Sequence, residues 1–381
     1  MRDDIGQLLW VGFEGTSASP ELRAALAAGR WGASIVFARN LVGGDKDAEG
    51  RRSPVDLDAA VALTEGLHQA APDGTPALIA IDQEGGVVQR VRAPATLWPP
   101  MMAHDRFAAP LDTELARAVG EAVGREVAAL GFDIDFAPVL DVHTNPDNPI
   151  IGGRAFGTSA ETATRRALAF AEGLAAAGVL ACGKHFPGHG DTSVDSHLAL
   201  PRIDHGMERL REVELAPFRA AARAGLPMFM TAHVVFAALD AGRPATMSPR
   251  VITELLRGEL GYDGVIVSDD LDMRAIADHQ GVADAAVAAI RAGCDVLLLC
   301  RDPGHQEEAE RGLVQAAERD SELRRRIGEA AARVRAMKRQ AAGRVRPPRS
   351  VVGCAAHREL AQRLTRVRAS APINAPAGPR G

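Results

Sequence analysis

The chain has 381 residues, of which 46% are apolar and 24% charged, and its formal net charge is −5. This balance is typical of a globular protein and excludes a disordered chain or a fibrous repeat. No apolar run reaches the roughly 18–20 residues that a membrane-spanning helix needs, and the acidic start is unlike a secretory signal. The negative charge gives no reason to expect a nucleic acid or an anionic membrane as a partner.

Four cysteines are widely spaced, and no two of them have the C-x-x-C spacing of redox or zinc motifs: Cys182, Cys294, Cys300 and Cys354. The first three lie in or beside apolar runs and are predicted to be buried thiols. A chain of this length can bury a core that does not need disulfides. A reducing compartment, the cytoplasm, is therefore the expected location.

Eight short apolar runs have the length of β-strands and are continuously apolar, as expected for parallel strands that are covered on both faces. In chain order they are 8–13, 34–38, 77–81, 133–137, 179–185, 228–232, 265–268 and 295–300. Amphipathic helical patterns lie between them at 112–130, 160–177, 207–224, 248–260 and 282–292. This alternation predicts an α/β fold, a single (β/α)8 TIM-type barrel over residues 1–340. A doubly wound open sheet is the competing arrangement, but no G-x-G-x-x-G motif follows the first strand.

The character of the chain changes after about residue 340. Residues 341–381 begin with a basic, proline-containing linker at 344–349 and continue with a predicted short basic helix at 355–368. The remainder, 369–381, is rich in Ala, Pro and Gly and is expected to be disordered. For this basic tail, a solvated surface is favoured over a partner-binding arm.

Ionisable residues follow the predicted strands at their carboxyl ends, where barrel enzymes carry their chemistry. They are Asp82 after the third strand, Asp141 and Arg154 after the fourth, Lys184 and His185 at the end of the fifth, His233 after the sixth, and Asp269 and Asp270 after the seventh. Each alone could be structural, and Asp270 is expected to cap the helix that follows it. Together they predict an active site at this rim of the barrel.

The segment 184–197 is the densest in chemistry-bearing side chains, with three histidines, two aspartates and one lysine. His185 and His189 have the i,i+4 spacing of a helical zinc pair. Pro187 lies between them and is incompatible with a helix interior. A metal site carried by the loop stays open as an alternative.

Asp195 and His197 in the same segment suggest acid/base chemistry. A carboxylate two residues before an imidazole can hydrogen-bond to it in a turned loop, fix its tautomer and raise its pKa from about 6.5. His197 would then be a usable general acid near neutral pH, and Asp269 would supply the carboxylate of a glycosidase pair. The alternative is an Asx-turn at Asp195 and a solvated side chain at His197.

The chain resembles glycoside hydrolase family 3 and, within it, the bacterial β-N-acetylglucosaminidases of peptidoglycan recycling. Four segments carry the resemblance: IDQEGGVVQR at 81–90, IIGGRAFG at 150–157, KHFPGHGDT at 184–192 with DSH at 195–197, and LLRGE at 255–259 with GVIVSDDLD at 264–272. The last two are long and specific. The resemblance extends from about residue 5 to about residue 340.

The resemblance implies a retaining exo-β-N-acetylglucosaminidase that releases non-reducing terminal N-acetylglucosamine from cell-wall muropeptides. Asp269 would be the nucleophile, and His197, polarised by Asp195, would be the general acid/base. Five further residues would hold the sugar: Asp82, Arg90, Arg154, Lys184 and His185. No metal or organic cofactor is implied. The partner would be a small saccharide or muropeptide, and a monomer is favoured.

Two positions depart from the family's pattern. Val87 stands where relatives often carry arginine, and Gly153 replaces an acidic residue. The nearest alternative function uses the same site: a phosphorylase, because an imidazole without negative charge tolerates an incoming phosphate better than a carboxylate would. A metal-dependent hydrolase and a non-catalytic sugar-binding barrel are the remaining alternatives.

Overall fold

A computed structural model describes residues 1–44, 53–72, 76–193, 200–277 and 281–366. Eight parallel strands close into a barrel: β1 (Leu9–Val11), β2 (Ala33–Val36), β3 (Leu78–Ile81), β4 (Ile134–Asp135), β5 (Leu180–Phe186), β6 (Met228–Thr231), β7 (Val265–Asp270) and β8 (Val296–Leu299). The strands follow one another around the barrel in chain order, and β8 pairs with β1 to close it. The predicted (β/α)8 barrel is confirmed.

Helices surround the barrel. In the described residues they are α1 (Arg2–Leu8), α2 (Pro20–Ala27), α3 (Leu57–Gln69), α4 (Leu111–Ala129), α5 (Ala160–Ala176), α6 (Met207–Glu212), α7 (Leu215–Arg223), α8 (Arg274–Ala277), α9 (Val282–Ala292), α10 (Pro303–Arg319), α11 (Ser321–Ala341) and α12 (Ala355–Thr365). A helix with π-type hydrogen bonds, Arg250–Glu259, precedes β7. None of the helices in this part of the chain is both long enough and apolar enough to cross a bilayer.

The single helix predicted at 207–224 is wrong, because the structure divides it into α6 and α7. The break falls at Val213 and Glu214. Pro217 is the cause: it has no N–H to donate to the carbonyl of Val213, and its ring clashes with that carbonyl in a continuous helix. The helical period of the apolar residues hides this break in the sequence.

The barrel strands are apolar on both faces because each face packs against a different layer. On β3, Leu78 and Ala80 belong to the cluster inside the barrel, whereas Ile79 and Ile81 belong to the outer cluster between strands and helices. Apolar side chains fill the interior of the barrel, so polar side chains cluster at the carboxyl ends of the strands. The site lies there.

The described part of the C-terminal segment packs on the barrel. Arg346 donates a hydrogen bond to Asp133, just before β4, with 2.8 Å between Nη2 and Oδ1. In α12, Nδ1 of His357 lies 2.8 Å from Oε1 of the buried Glu126 on α4. The tail is therefore not solvated throughout. The stretch expected to be disordered, 369–381, lies outside the described residues.

Candidate active site

A cavity of about 440 Å³ opens at the carboxyl ends of the barrel strands. Ligand sites commonly have volumes of about 300–1,000 Å³. The lining brings together the predicted nucleophile and every predicted sugar-binding residue: Asp82, Arg90, Arg154, Lys184, His185 and Asp269. Side chains from strands and loops far apart in the sequence thus meet at one place.

Lys184 lies at the centre of a buried ionic network. Its Nζ is 2.9 Å from Oδ1 of Asp82 and 2.6 Å from Oε1 of Glu84. Arg90 donates a hydrogen bond of 2.8 Å to Oδ2 of Asp82. Arg154 donates two hydrogen bonds of 2.8 Å to the carboxylate of Glu84. Three cations therefore hold two carboxylates, and such a cluster offers both the donors and the acceptors that sugar hydroxyl groups need.

The network keeps its carboxylates ionised. Burial alone would raise the pKa of Asp82, but the charges of Lys184 and Arg90 outweigh it and hold that pKa well below its usual range. The same competition between burial and the charges of Arg154 and Lys184 lowers the pKa of Glu84 to about 2. Both groups are therefore charged acceptors at neutral pH.

Glu84 is a site residue that sequence reasoning missed. It is 2% exposed and bonds to both Lys184 and Arg154. A signal was present, because residues two apart on an extended segment point to the same side. Gln83–Gly85 is such a segment, and Glu84 therefore points the same way as Asp82.

Asp141, in the loop after β4, holds His185 in place. Its Oδ2 lies 2.6 Å from Nδ1 of His185, and its Oδ1 accepts a hydrogen bond of 2.7 Å from the main-chain N–H of His189. A carboxylate can only accept here, so Nδ1 of His185 carries the proton of this bond. The other ring nitrogen, Nε2, is then the atom available to a ligand in the cavity.

Asp269 lines the cavity because β7 contains a bulge. Val267 pairs with Val296, but Asp270 pairs with Leu298, so β7 has one residue more than β8 between these pairs. Consecutive residues of a regular strand point to opposite faces. The bulge relaxes that rule and lets both Asp269 and Asp270 line the cavity. Asp269 is half-buried there, and its Oδ1 accepts a hydrogen bond of 2.8 Å from the N–H of Asp270.

The expectation that Asp270 caps a helix beginning near Leu271 is wrong. Its Oδ1 accepts hydrogen bonds of 3.1 Å from the main-chain N–H groups of Asp272 and Cys300, and α8 begins only at Arg274. The bulge turns this carboxylate toward β8. Burial, together with the charge of Asp272, raises the pKa of Asp270 to about 7.

The predicted acid/base pair, Asp195 and His197, lies outside the described residues. The neighbouring His189 is described: its Nδ1 lies 2.8 Å from Oγ1 of Thr192, and burial lowers its pKa to about 4. Within the described part of the chain, no three or more His, Cys, Asp or Glu side chains form a group that could hold a metal ion.

The two departures from the family's pattern affect the edges of the site differently. Val87 is 81% exposed and faces solvent. A Cβ at Gly153 would meet Cβ of Pro100 at 3.2 Å, so a larger residue would press on Pro100. The glycine therefore relieves a close contact next to Arg154.

A (β/α)8 barrel with an aspartate beside a cluster of hydrogen-bonding ions at its carboxyl-terminal rim defines a class of protein, the barrel glycoside hydrolases. The family model "Glycosyl hydrolase family 3 N terminal domain" matches residues 1–337. The chain therefore belongs to glycosyl hydrolase family 3.

Relatives and solved structures agree with this assignment. Beta-hexosaminidase A of Pseudoalteromonas piscicida is 39% identical over 300 residues, which are 74% of this chain and 48% of that protein; the chain spans about half its length. A glycoside hydrolase family 3 beta-N-acetylglucosaminidase from Paenibacillus has a TM-score of 0.86 and 39% identity, over 96% of this chain and 68% of that one. NagZ from Neisseria gonorrhoeae, in complex with N-trifluoroacetyl-D-glucosamine, has a TM-score of 0.71 and 30% identity, over 86% and 98% of the two chains.

Proposed function

We propose that the protein is a retaining exo-β-N-acetylglucosaminidase that removes non-reducing terminal N-acetylglucosamine from peptidoglycan fragments. One observation carries the proposal: Asp269 shares a single cavity with the ionic network centred on Lys184. The names of the relative and of the solved structures support a hexosamine substrate. The muropeptide substrate rests on the resemblance of the segment 184–197 to enzymes of cell-wall recycling, and a cytoplasmic location rests on the spacing of the four cysteines.

The floor of the cavity is apolar. Four apolar side chains of the barrel interior also line the cavity: Ile35, Phe136, Met230 and Leu298. Because packed apolar side chains close the barrel beneath the site, a glycan can enter only from the rim. Cleavage at a chain end follows from the resemblance, and in a cavity of about 440 Å³ the network would bind the hydroxyl groups of one terminal sugar.

In the proposed reaction, Asp269 attacks the anomeric carbon. A bond forms from its carboxylate to that carbon while the glycosidic C–O bond breaks, and the leaving oxygen takes a proton from His197. In the second step, His197 removes a proton from water, which attacks the same carbon and frees Asp269. Asp195 would orient His197 throughout.

The test is hydrolysis of an aryl N-acetyl-β-glucosaminide beside the matching aryl β-glucoside, with a chelator present. We expect turnover of the N-acetyl substrate alone. Asp269→Ala should lose nearly all turnover while remaining folded, and Asp263→Ala, at an exposed position before β7, is the matched control. Full activity of Asp269→Ala, or abolition of wild-type activity by the chelator, would refute the proposal. N-acetylglucosamine 1-phosphate as the product in phosphate buffer would favour the phosphorylase.

A further inference from the structure

His233 follows β6 and is fully buried. Its Nε2 lies 3.0 Å from the main-chain oxygen of Asp270, and its Nδ1 lies 2.8 Å from Oγ1 of Thr246. A carbonyl oxygen can only accept, so Nε2 of His233 donates this hydrogen bond. The imidazole thus ties the end of β6 to the segment of β7 that carries Asp269.

This hydrogen bond lies just beyond the regular pairing of β6 and β7. Their paired residues run from Met228–Val265 to Met230–Val267, after which the bulge of β7 begins. Main-chain groups beyond a bulge are displaced from the ladder and need other partners. The oxygen of Asp270 accepts a hydrogen bond of 3.0 Å from the main-chain N–H of Met273, which is local, and one of 3.0 Å from His233, whose side chain takes the place of a neighbour on β6.

The other side of the bulge is tied to β8. Oγ of Ser268 accepts a hydrogen bond of 3.0 Å from the N–H of Leu298, and the carboxylate of Asp270 accepts one of 3.1 Å from the N–H of Cys300. Asp270 is therefore held from both neighbouring strands. Its own N–H donates the 2.8 Å hydrogen bond to Oδ1 of Asp269, so the position of Asp270 helps to set the direction of the Asp269 carboxylate.

We propose that His233 is a positioning residue for the nucleophile: its hydrogen bond to the Asp270 carbonyl fixes the bulge that aims Asp269 at the anomeric carbon. The inference rests on the proposed function, in which Asp269 is the nucleophile. His233 is a buried side chain outside the ionic network, so its loss should affect attack on the sugar and leave sugar binding intact. A residue that was only part of the core would instead affect stability alone.

The experiment compares three substitutions at His233 and a matched control. His233→Leu should lower kcat/KM by about 10²-fold, since a misplacement of about 1 Å costs that much. The loss should be the same for activated aryl glycosides and for a disaccharide, and the Kd for N-acetylglucosamine should not change. His233→Gln, which keeps a donor, should recover part of the activity, and His233→Phe should not. His104→Leu replaces another fully buried histidine, and its kcat/KM should stay within threefold of that of wild type.

Several results would overturn the inference. They are a kcat/KM of folded His233→Leu within threefold of wild type, a matching loss in His104→Leu, or a loss confined to KM. If His233→Leu does not fold, Thr246→Val provides the test, because it removes the hydroxyl beside Nδ1, together with the contacts of that hydroxyl to Oγ1 of Thr231 and the carbonyl of Ala232. A loss of about tenfold in kcat/KM is expected, and an unchanged kcat/KM would contradict the inference. Failure of the proposed function is distinguishable: if Asp269 is not the nucleophile, Asp269→Ala stays active whatever the His233 variants do, and a phosphorylase releases N-acetylglucosamine 1-phosphate.

Discussion

The carboxylate of Asp141 and the imidazole of His185 form a buried pair, with 2.6 Å between Oδ2 and Nδ1. The same carboxylate accepts hydrogen bonds from the main-chain N–H groups of His185 and His189. One side chain from the loop after β4 therefore orients the ring of His185 and holds the backbone at the end of β5. The choice of ring nitrogen that His185 offers to the cavity depends on it.

Asp141→Ala is expected to weaken sugar binding and to lower the free energy of unfolding by about 1–3 kcal/mol, because buried N–H groups lose their acceptor. Asp141→Asn keeps one acceptor oxygen, so it should remain closer to wild type in stability while KM rises. Chemical denaturation and KM for an aryl glycoside measure the two effects. Asp147→Asn, at an exposed position of the same loop, is the control. An unchanged KM in Asp141→Asn would contradict the role given to the pair.

Lys184→Met is expected to destabilise the protein by about 3–5 kcal/mol, since it leaves two buried carboxylates with too few cations. The pKa values of Asp82 and Glu84 should rise in this variant, because the charge of Lys184 lowers both. Adding Glu84→Gln should restore part of the stability but not the binding of N-acetylglucosamine. Denaturation and calorimetry together check this; a Lys184→Met protein as stable as wild type would be incompatible with the network.

The stability of the protein should depend on pH because of Asp135 on β4. Burial raises its pKa to about 8, above its value of about 3.9 in the unfolded chain. Between these values the folded protein holds a proton that the unfolded chain has released, so stability falls as pH rises, by about 1.4 kcal/mol per pH unit. Asp135→Asn cannot titrate at this position. Its free energy of unfolding should therefore rise steadily relative to that of wild type from about pH 4 to pH 8.

Denaturation at several pH values tests this prediction, with the exposed Asp263→Asn as the control. Asp270, whose pKa is raised to about 7, also makes the free energy of unfolding fall as pH rises. The Asp135→Asn variant should retain this contribution. A constant difference between Asp135→Asn and wild type across this range would mean that Asp135 ionises normally.

His197, the proposed acid, should matter most when the leaving group is poor. We expect His197→Ala to lower kcat/KM by about 10²–10⁴-fold for a disaccharide and far less for a dinitrophenyl glycoside. Asp195→Ala should lower kcat/KM less, with the same dependence on the leaving group. A series of aryl glycosides measures it; equal losses along the series would exclude proton transfer by His197.

Much of the fold was predictable from local pattern. Each of the eight predicted apolar runs overlaps a barrel strand, because strands covered on both faces need continuous apolar sequence. The break between α6 and α7 was not predicted, although Pro217 marks it, since the apolar period continues through the break. The extra residue in β7 has no local signature, because a bulge is a relation between two strands.

Most of the chemical groups at the rim, though not Glu84, could be named from the sequence. Parallel strands of a barrel all end at the same rim, so the residue that follows each strand is placed by chain order alone. Which of these groups pair with one another depends on the three-dimensional arrangement of the strands and loops. Lys184 with Glu84, Asp141 with His185, and His233 with the Asp270 carbonyl join different strands or loops. Spacing along the chain says nothing about such pairs, because barrel closure and the bulge of β7 set the distances between them.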